Sequence, residues 1–158
     1  MEAVRAAGPD DASRFIELAR EGIDGLRSQR GGSLLLAQLG SAVERLDSTA
    51  FFDELLADPD RLVLMGTLEH VVTGVVVGHV ELLDGGERLG RLDGYYVEPE
   101  ARGIGLGHLL VDSAIGWFRD RRCMGVDGIA LPGDRESKNF FETSGFKARQ
   151  LTMHRPMG

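Results

Sequence analysis

The sequence predicts a single α/β domain with a mixed, mostly antiparallel sheet, flanked by helices and carrying one strand–helix–strand crossover. Apolar residues recur at helical spacing as far as Ala57, then give way to β-branched and apolar runs from Leu62 to Val97. A glycine-rich loop next opens into an amphipathic helix, and a further strand follows it, which implies a right-handed parallel crossover. No repeat, linker or low-complexity tract interrupts the 158 residues, so one domain over 1–158 is expected.

Val4 to Ala7 reads as a short strand stopped by Gly8-Pro9. Asp10 and Asp11 supply the acidic start of a helix with Ala12, Phe15, Ile16, Ala19, Ile23 and Leu26 on one face. Gly31-Gly32 breaks the chain, and Ser33 is placed to cap a second helix with the stripe Leu35, Leu39, Val43 and Leu46. A third helical piece, Ala50 to Ala57, ends at Asp58-Pro59. Strands follow at Leu62–Leu68, Val71–Leu83 and Leu89–Val97, turning at Glu69-His70 and Asp84-Gly85-Gly86. Leu106, Leu110, Ala114 and Phe118 mark the crossover helix, and Val126–Leu131 the strand after it. Asp134–Ser144 is a further helix stopped by Gly145, and Ala148–Arg155 is expected to be the last strand.

A hydrophobic share of 42% and a charged share of 27% belong to a soluble globular chain that can bury a core. Met1-Glu2-Ala3-Val4-Arg5 lacks a basic start followed by an apolar stretch, so no secretory leader is expected. The lone Cys123 allows no internal disulfide and fits a reducing, cytoplasmic setting. A formal charge of −7 argues against nucleic acid and mildly favours a cationic partner. The apolar run Val71–Val80 is too short to span a bilayer, so no membrane association is expected. His70, His108 and His154 have no metal-ligand spacing with one another or with Cys123, so no metal is expected.

The stretch Tyr95-Tyr96-Val97-Glu98-Pro99-Glu100-Ala101-Arg102-Gly103-Ile104-Gly105-Leu106-Gly107 carries the chemistry. Glycines at every second position let backbone N–H groups converge where a helix start leaves its donors unpaired, with Arg102 beside them. Such a loop is an anion cradle suited to phosphate or pyrophosphate. A Walker-type loop needs Lys and then Ser or Thr after its last glycine, whereas Gly107 is followed by His108-Leu109. A dinucleotide fingerprint needs glycine at the sixth position from Gly103, which is His108.

With Arg102-x-x-Gly105-x-Gly107 at a strand-to-helix junction, the stretch resembles the acyl-CoA loop of the GCN5-related N-acetyltransferase (GNAT) family. Asn139-Phe140-Phe141-Glu142-Thr143-Ser144-Gly145-Phe146 resembles the same family's late N-F-Y-E-x-x-G-F block, and the element order agrees over nearly the whole chain. The resemblance implies a GNAT fold and a direct acetyl transfer from acetyl-CoA to an amine of a small molecule or peptide. It implies that the main chain of Tyr95, Tyr96 and Val97 pairs with the pantetheine arm. Arg102, Gly103, Ile104, Gly105, Leu106 and Gly107 would hold the pyrophosphate, with Asn139 and Phe141 flanking the far side. A homodimer is in keeping with the family, and the acceptor would approach from the first helices and the meander.

Transfer to an amine needs a neutral nitrogen, and a lysine-like amine with pKa about 10.4 is neutral in roughly one molecule in a few thousand at pH 7. A base is therefore expected. Asp93 is the first candidate, on the side of the strand that carries Tyr95 and Val97; Glu81 and His79 on the preceding strand are the others. Family members commonly carry Tyr at the position of Phe141, whose hydroxyl assists the departing sulfur; Phe offers no donor. Tyr95 or Tyr96 is left to supply one, and Tyr96 joins Asp93 and Glu81 among the catalytic candidates. Phe141 also keeps a second class open, a protein that binds acyl-CoA without turning it over and serves as a sensor or interaction module.

Overall fold

The computed structural model describes residues 1–158 and has one five-stranded sheet in the order β1-β2-β3-β4-β5. The strands are β1 (Glu2–Ala6), β2 (Arg61–Leu68), β3 (Val71–Leu82), β4 (Arg88–Val97) and β5 (Val126–Gly128). All neighbours run antiparallel except β4 and β5, which are parallel, as the crossover requires. Helices α1 (Ala12–Arg27), α2 (Gly32–Leu39), α3 (Ser41–Arg45) and α4 (Thr49–Ala57) precede β2. Helix α5 (Leu106–Asp120) follows β4, and α6 (Arg135–Thr143) follows β5.

Alternation along β2 and β3 splits the core between the two faces of the sheet. Val63, Met65 and Val75 turn to α1 and α4, joining Phe15, Leu18, Phe52 and Leu55. Leu62, Leu64 and Val76 turn the other way, against Leu106, Leu110, Ala114 and Phe118 of α5 and Phe141 of α6. The Phe118 ring lies directly on β3 and β4, where a side-chain carbon at Gly90 would come within 2.7 Å of it. Arg5 and Asp11 tie β1 to the start of α1 through two guanidinium–carboxylate hydrogen bonds of 2.7 and 2.9 Å. Asp11 also accepts from the N–H of Gly8 at 2.8 Å, and the Arg5 guanidinium beside it holds its carboxyl below the usual range.

The helical stripe expected from Leu35 to Leu46 is broken at Gly40, whose φ of 53° and ψ of −121° end α2 and begin α3. Leu36 is the buried leucine of α2, while Leu39 is 46% exposed. Ser33 caps nothing; the cap position is Gly31 at φ 83°, a left-handed turn that brings Gly32 against the last carbonyls of α1. The strand expected over Val126–Leu131 ends at Gly128, and Ile129 is 56% exposed.

The expected last strand, Ala148–Arg155, is not formed: the segment is irregular and exposed throughout. Phe146 is the last side chain packed on the core, and the apolar members beyond it, Leu151 and Met153, touch no partner face. Alternation of apolar and polar residues gives no strand where no neighbour supplies a ladder. Only Arg149 anchors the segment, through a hydrogen bond of 2.8 Å to Asp127. No helix is long and apolar enough to cross a membrane.

Candidate active site

Strands β4 and β5 pair only at Gly90–Val126, Arg91–Asp127 and Leu92–Gly128. Beyond Leu92 they separate, so β4 from Gly94 to Val97 keeps its β3 partner and has an open edge on the other side. This edge is a row of main-chain donors and acceptors that an extended ligand can join as an added strand. The glycine loop stands at one end of the gap, α6 at its side, and a distortion of the β3–β4 ladder at its base.

In the loop, Gly103 and Gly105 take φ of 80° and 93°, and Gly105 is the residue from which α5 departs. The first helical hydrogen bond comes from Leu109 to the Gly105 carbonyl at 3.0 Å, and no backbone N–H from Gly103 to His108 has a partner. Consecutive unpaired donors at the positive end of a fifteen-residue helix form the expected anion cradle. Gly107 serves another purpose: it lies inside α5, where a side-chain carbon would come within 3.1 Å of Phe140 on α6. Arg102 turns back, its Nε donating to the Val97 carbonyl at 2.8 Å and its guanidinium lying over the Tyr96 ring. Ile104 is exposed on the loop and Leu106 is fully buried under it.

At the base of the gap the β3–β4 register slips: Val77 faces Gly94, Gly78 faces Leu92, and Asp93 is the extra residue. Leu92 and Tyr95, three residues apart, consequently face the same way, toward α5 and α6. Asp93 does not share that side, contrary to the strand-alternation expectation. It turns to the α1 face, where His79 follows Val75 and Val77 at two-residue steps. There Asp93 Oδ2 lies 2.7 Å from His79 Nδ1. A carboxylate only accepts, so Nδ1 carries a proton, and in the neutral ring the lone pair is then on Nε2. Both side chains are about one-third exposed, 32% and 36%. Glu81 is not part of this pair; it faces Arg91, 3.6 Å away, which also faces Asp127 at 3.7 Å.

The tyrosines occupy opposite faces of β4. Tyr96 lies under α1, against the backbone at Gly22, and burial raises its pKa, with the Glu21 carboxylate adding to the effect. Tyr95 lies under α6, stacked on Phe140 at 4.8 Å between centroids and edge-on to Phe141 at 5.6 Å. Its hydroxyl donates to Ser137 Oγ at 3.2 Å, and the Ser137 hydroxyl donates to Asp134 Oδ2 at 2.6 Å. Asp134 at the same time caps α6, its Oδ1 accepting from the Ser137 N–H at 3.0 Å. Burial raises the Tyr95 pKa above the ordinary tyrosine value. Phe141 is buried with its ring tip on Gly128, whereas the Asn139 side chain is exposed on α6. Cys123 is half-buried beside the α5 core, with its thiol pKa raised by burial.

The glycine loop, Tyr95–Val97 and the late helix, expected around one site from the sequence, lie together in the structure. Ser137 and Asp134 are not among the site residues that the sequence singles out. Their spacing, a capping Asp three residues before a Ser at the start of a helix, was readable as a cap, but the link to Tyr95 crosses forty-two positions of sequence.

Residues 31–146 match the family model described as the acetyltransferase (GNAT) family. Glucosamine 6-phosphate N-acetyltransferase of Trypanosoma brucei brucei is 31% identical over 90 residues, which span 53% of this chain and 59% of that protein. Two structures cover nearly the whole fold. The aminoglycoside N-acetyltransferase AAC(6')-Iy in complex with a CoA-linked bisubstrate analogue is 15% identical at a TM-score of 0.74, covering 100% of this chain and 99% of that one. Glucosamine-6-phosphate N-acetyltransferase from Arabidopsis thaliana is 20% identical at a TM-score of 0.70, with coverages of 100% and 99%. The structural likenesses establish the shared fold, and the family model, matched over most of the chain, establishes the lineage: the protein is an acetyltransferase of the GNAT family.

Proposed function

We propose that the protein transfers an acetyl group from acetyl-CoA directly to a primary amine of a small molecule or peptide. The observation that carries this reading is the run of unpaired N–H groups from Gly103 to His108 at the head of α5, adjoining the open edge of β4. The cradle suits the pyrophosphate, and the edge from Val97 back to Gly94 suits the amide-bearing pantetheine arm. The thioester then reaches the bulge. Relatives of known name act on amine-bearing sugars, which agrees with an amine acceptor here.

In this reading the acceptor enters from the α1 face. His79 Nε2 takes the proton of the incoming ammonium, and Asp93 holds the ring in the required tautomer. The neutral nitrogen attacks the carbonyl carbon, the C–S bond breaks, and CoA leaves as the thiol. Proximity contributes as much as acid–base chemistry, since the strand-like ligand and the acceptor meet at one fixed point of the sheet.

The test is a thermal shift with acetyl-CoA followed by thiol release over a panel of amino sugars, aminoglycosides, polyamines and peptide amines. Stabilisation at saturating acetyl-CoA with thiol release on at least one amine is the expected result. Absence of any shift removes the reading. A shift without release on any amine favours the binding-only alternative that Phe141 raises.

A further inference from the structure

A departing thiolate is best met by an acid, and Phe141, buried beside the gap, has no hydroxyl to offer. The chain contains two tyrosines. Tyr96 is on the α1 face with the incoming amine, so Tyr95 is the one phenol on the α6 face of the same gap. Its oxygen is fixed by a chain of two hydrogen bonds, to Ser137 at 3.2 Å and from Ser137 to Asp134 at 2.6 Å. The ring is clamped between Phe140 and Phe141, which sets its direction. We propose that Tyr95 is the acid that protonates the departing sulfur, with Ser137 and Asp134 as its positioning residues. The inference rests on the acetyl-CoA reading above.

As the C–S bond breaks its electron pair goes to sulfur, and the Tyr95 O–H, turned from Ser137 toward the arriving sulfur, gives its proton to form the free thiol. The phenolate left behind accepts a hydrogen bond from the Ser137 hydroxyl, which turns from Asp134, until water returns a proton. The ammonium proton leaves through His79 on the opposite face before attack, and the second nitrogen proton, shed to water as the amide forms, balances the one that water returns to Tyr95. The charges that act on the phenol are Asp134, which caps α6, Glu136 in its first turn and, from the opposite face of β4, Arg102. Burial and the two carboxylates favour the protonated phenol, which keeps the acid form present through the neutral range.

The experiment is steady-state kinetics with the best amine of the panel. Tyr95→Phe should lower kcat by about 100-fold, the lower end of what a positioned acid contributes, with the KM for acetyl-CoA changed by less than about threefold. Ser137→Ala should lower kcat by about fivefold and Ser137→Thr should restore it, because the hydroxyl returns. Replacing Tyr95 by a ring-fluorinated tyrosine, which keeps the packing and makes the phenol more acidic, should move the alkaline limb of kcat to lower pH. A kcat for Tyr95→Phe within about threefold of the parent, or an alkaline limb that fluorination leaves in place, overturns the proposal. If Tyr95→Phe does not fold, the fluorinated protein and the Ser137 pair decide the matter. A parent protein that neither binds acetyl-CoA nor releases thiol overturns the underlying reading instead, which separates the two failures.

Discussion

Asp93 gains its place in the site by being one residue too many. Without the bulge, alternation counted back from Tyr95 would put it on the α5 face, away from His79. Asp93→Asn keeps the volume and removes the negative acceptor that fixes the imidazole tautomer. It should lower kcat about 10- to 100-fold at neutral pH, while Glu81→Gln, whose partner is Arg91, should stay within about threefold. Rescue of a His79→Ala protein by added imidazole would show that the ring works as a base and not as packing. Gly105→Ala is the matching test of the cradle. A side chain at φ 93° costs about 1–3 kcal/mol of backbone strain, so acetyl-CoA affinity and melting temperature should fall together. The residue types at these positions were legible in the sequence, since acids, glycines and tyrosines stand out. Their directions were not, because a bulge changes which face a strand residue takes without leaving a mark in the period-two pattern. The two faces given to Tyr95 and Asp93 follow from that one inserted position.

At the scale of elements, close approach of helices to the sheet governs the geometry of the gap. A side-chain carbon at Gly90 would meet Phe118 at 2.7 Å, and one at Gly128 would meet Phe141 at 2.6 Å. Gly128→Ala should therefore push α6 from β5 and cost about 1–3 kcal/mol, a fall of roughly 2–10 °C in melting temperature by calorimetry. The Arg5–Asp11 clip supplies an acid-sensitive bond between β1 and α1. Asp11 has its pKa lowered in the folded state, so its contribution is present above the ordinary aspartate range and is lost as pH falls through the lowered value. Asp11→Ala should cost about 1.5–3 kcal/mol at pH 7, and the gap to the parent should narrow as denaturation is followed below about pH 4. Element order was legible because helical spacing gives way to β-branched runs at Leu62. The expected last strand, Ala148–Arg155, fails for a reason of the same scale: no ladder awaits it. Strandedness belongs to a pair, and sequence shows one member.

The molecule as a whole is two apolar layers sharing one sheet, with α1 and α4 on one side and α5 and α6 on the other. The proposed reaction uses both layers, the base on one and the acid on the other, with the thioester entering edge-on between β4 and β5. Acetyl-CoA bound at a hundred times its dissociation constant should stabilise the fold by about 2.7 kcal/mol, raising the melting temperature by roughly 5–10 °C. The family of the chain was legible from two short blocks. The acceptor was not, because α2, α3 and α4, the elements beside which it would enter, carry packing residues and no decodable pattern.

The open edge of β4 gives the unliganded protein an unfinished sheet. An arm that joins that edge would complete the ladder and act as a removable sixth strand, so occupancy would be written in the backbone itself. Amide exchange along Gly94–Val97 should slow sharply when acetyl-CoA is bound while the β2–β3 ladder stays unchanged, giving a residue-resolved gauge of loading that needs no acceptor and no turnover.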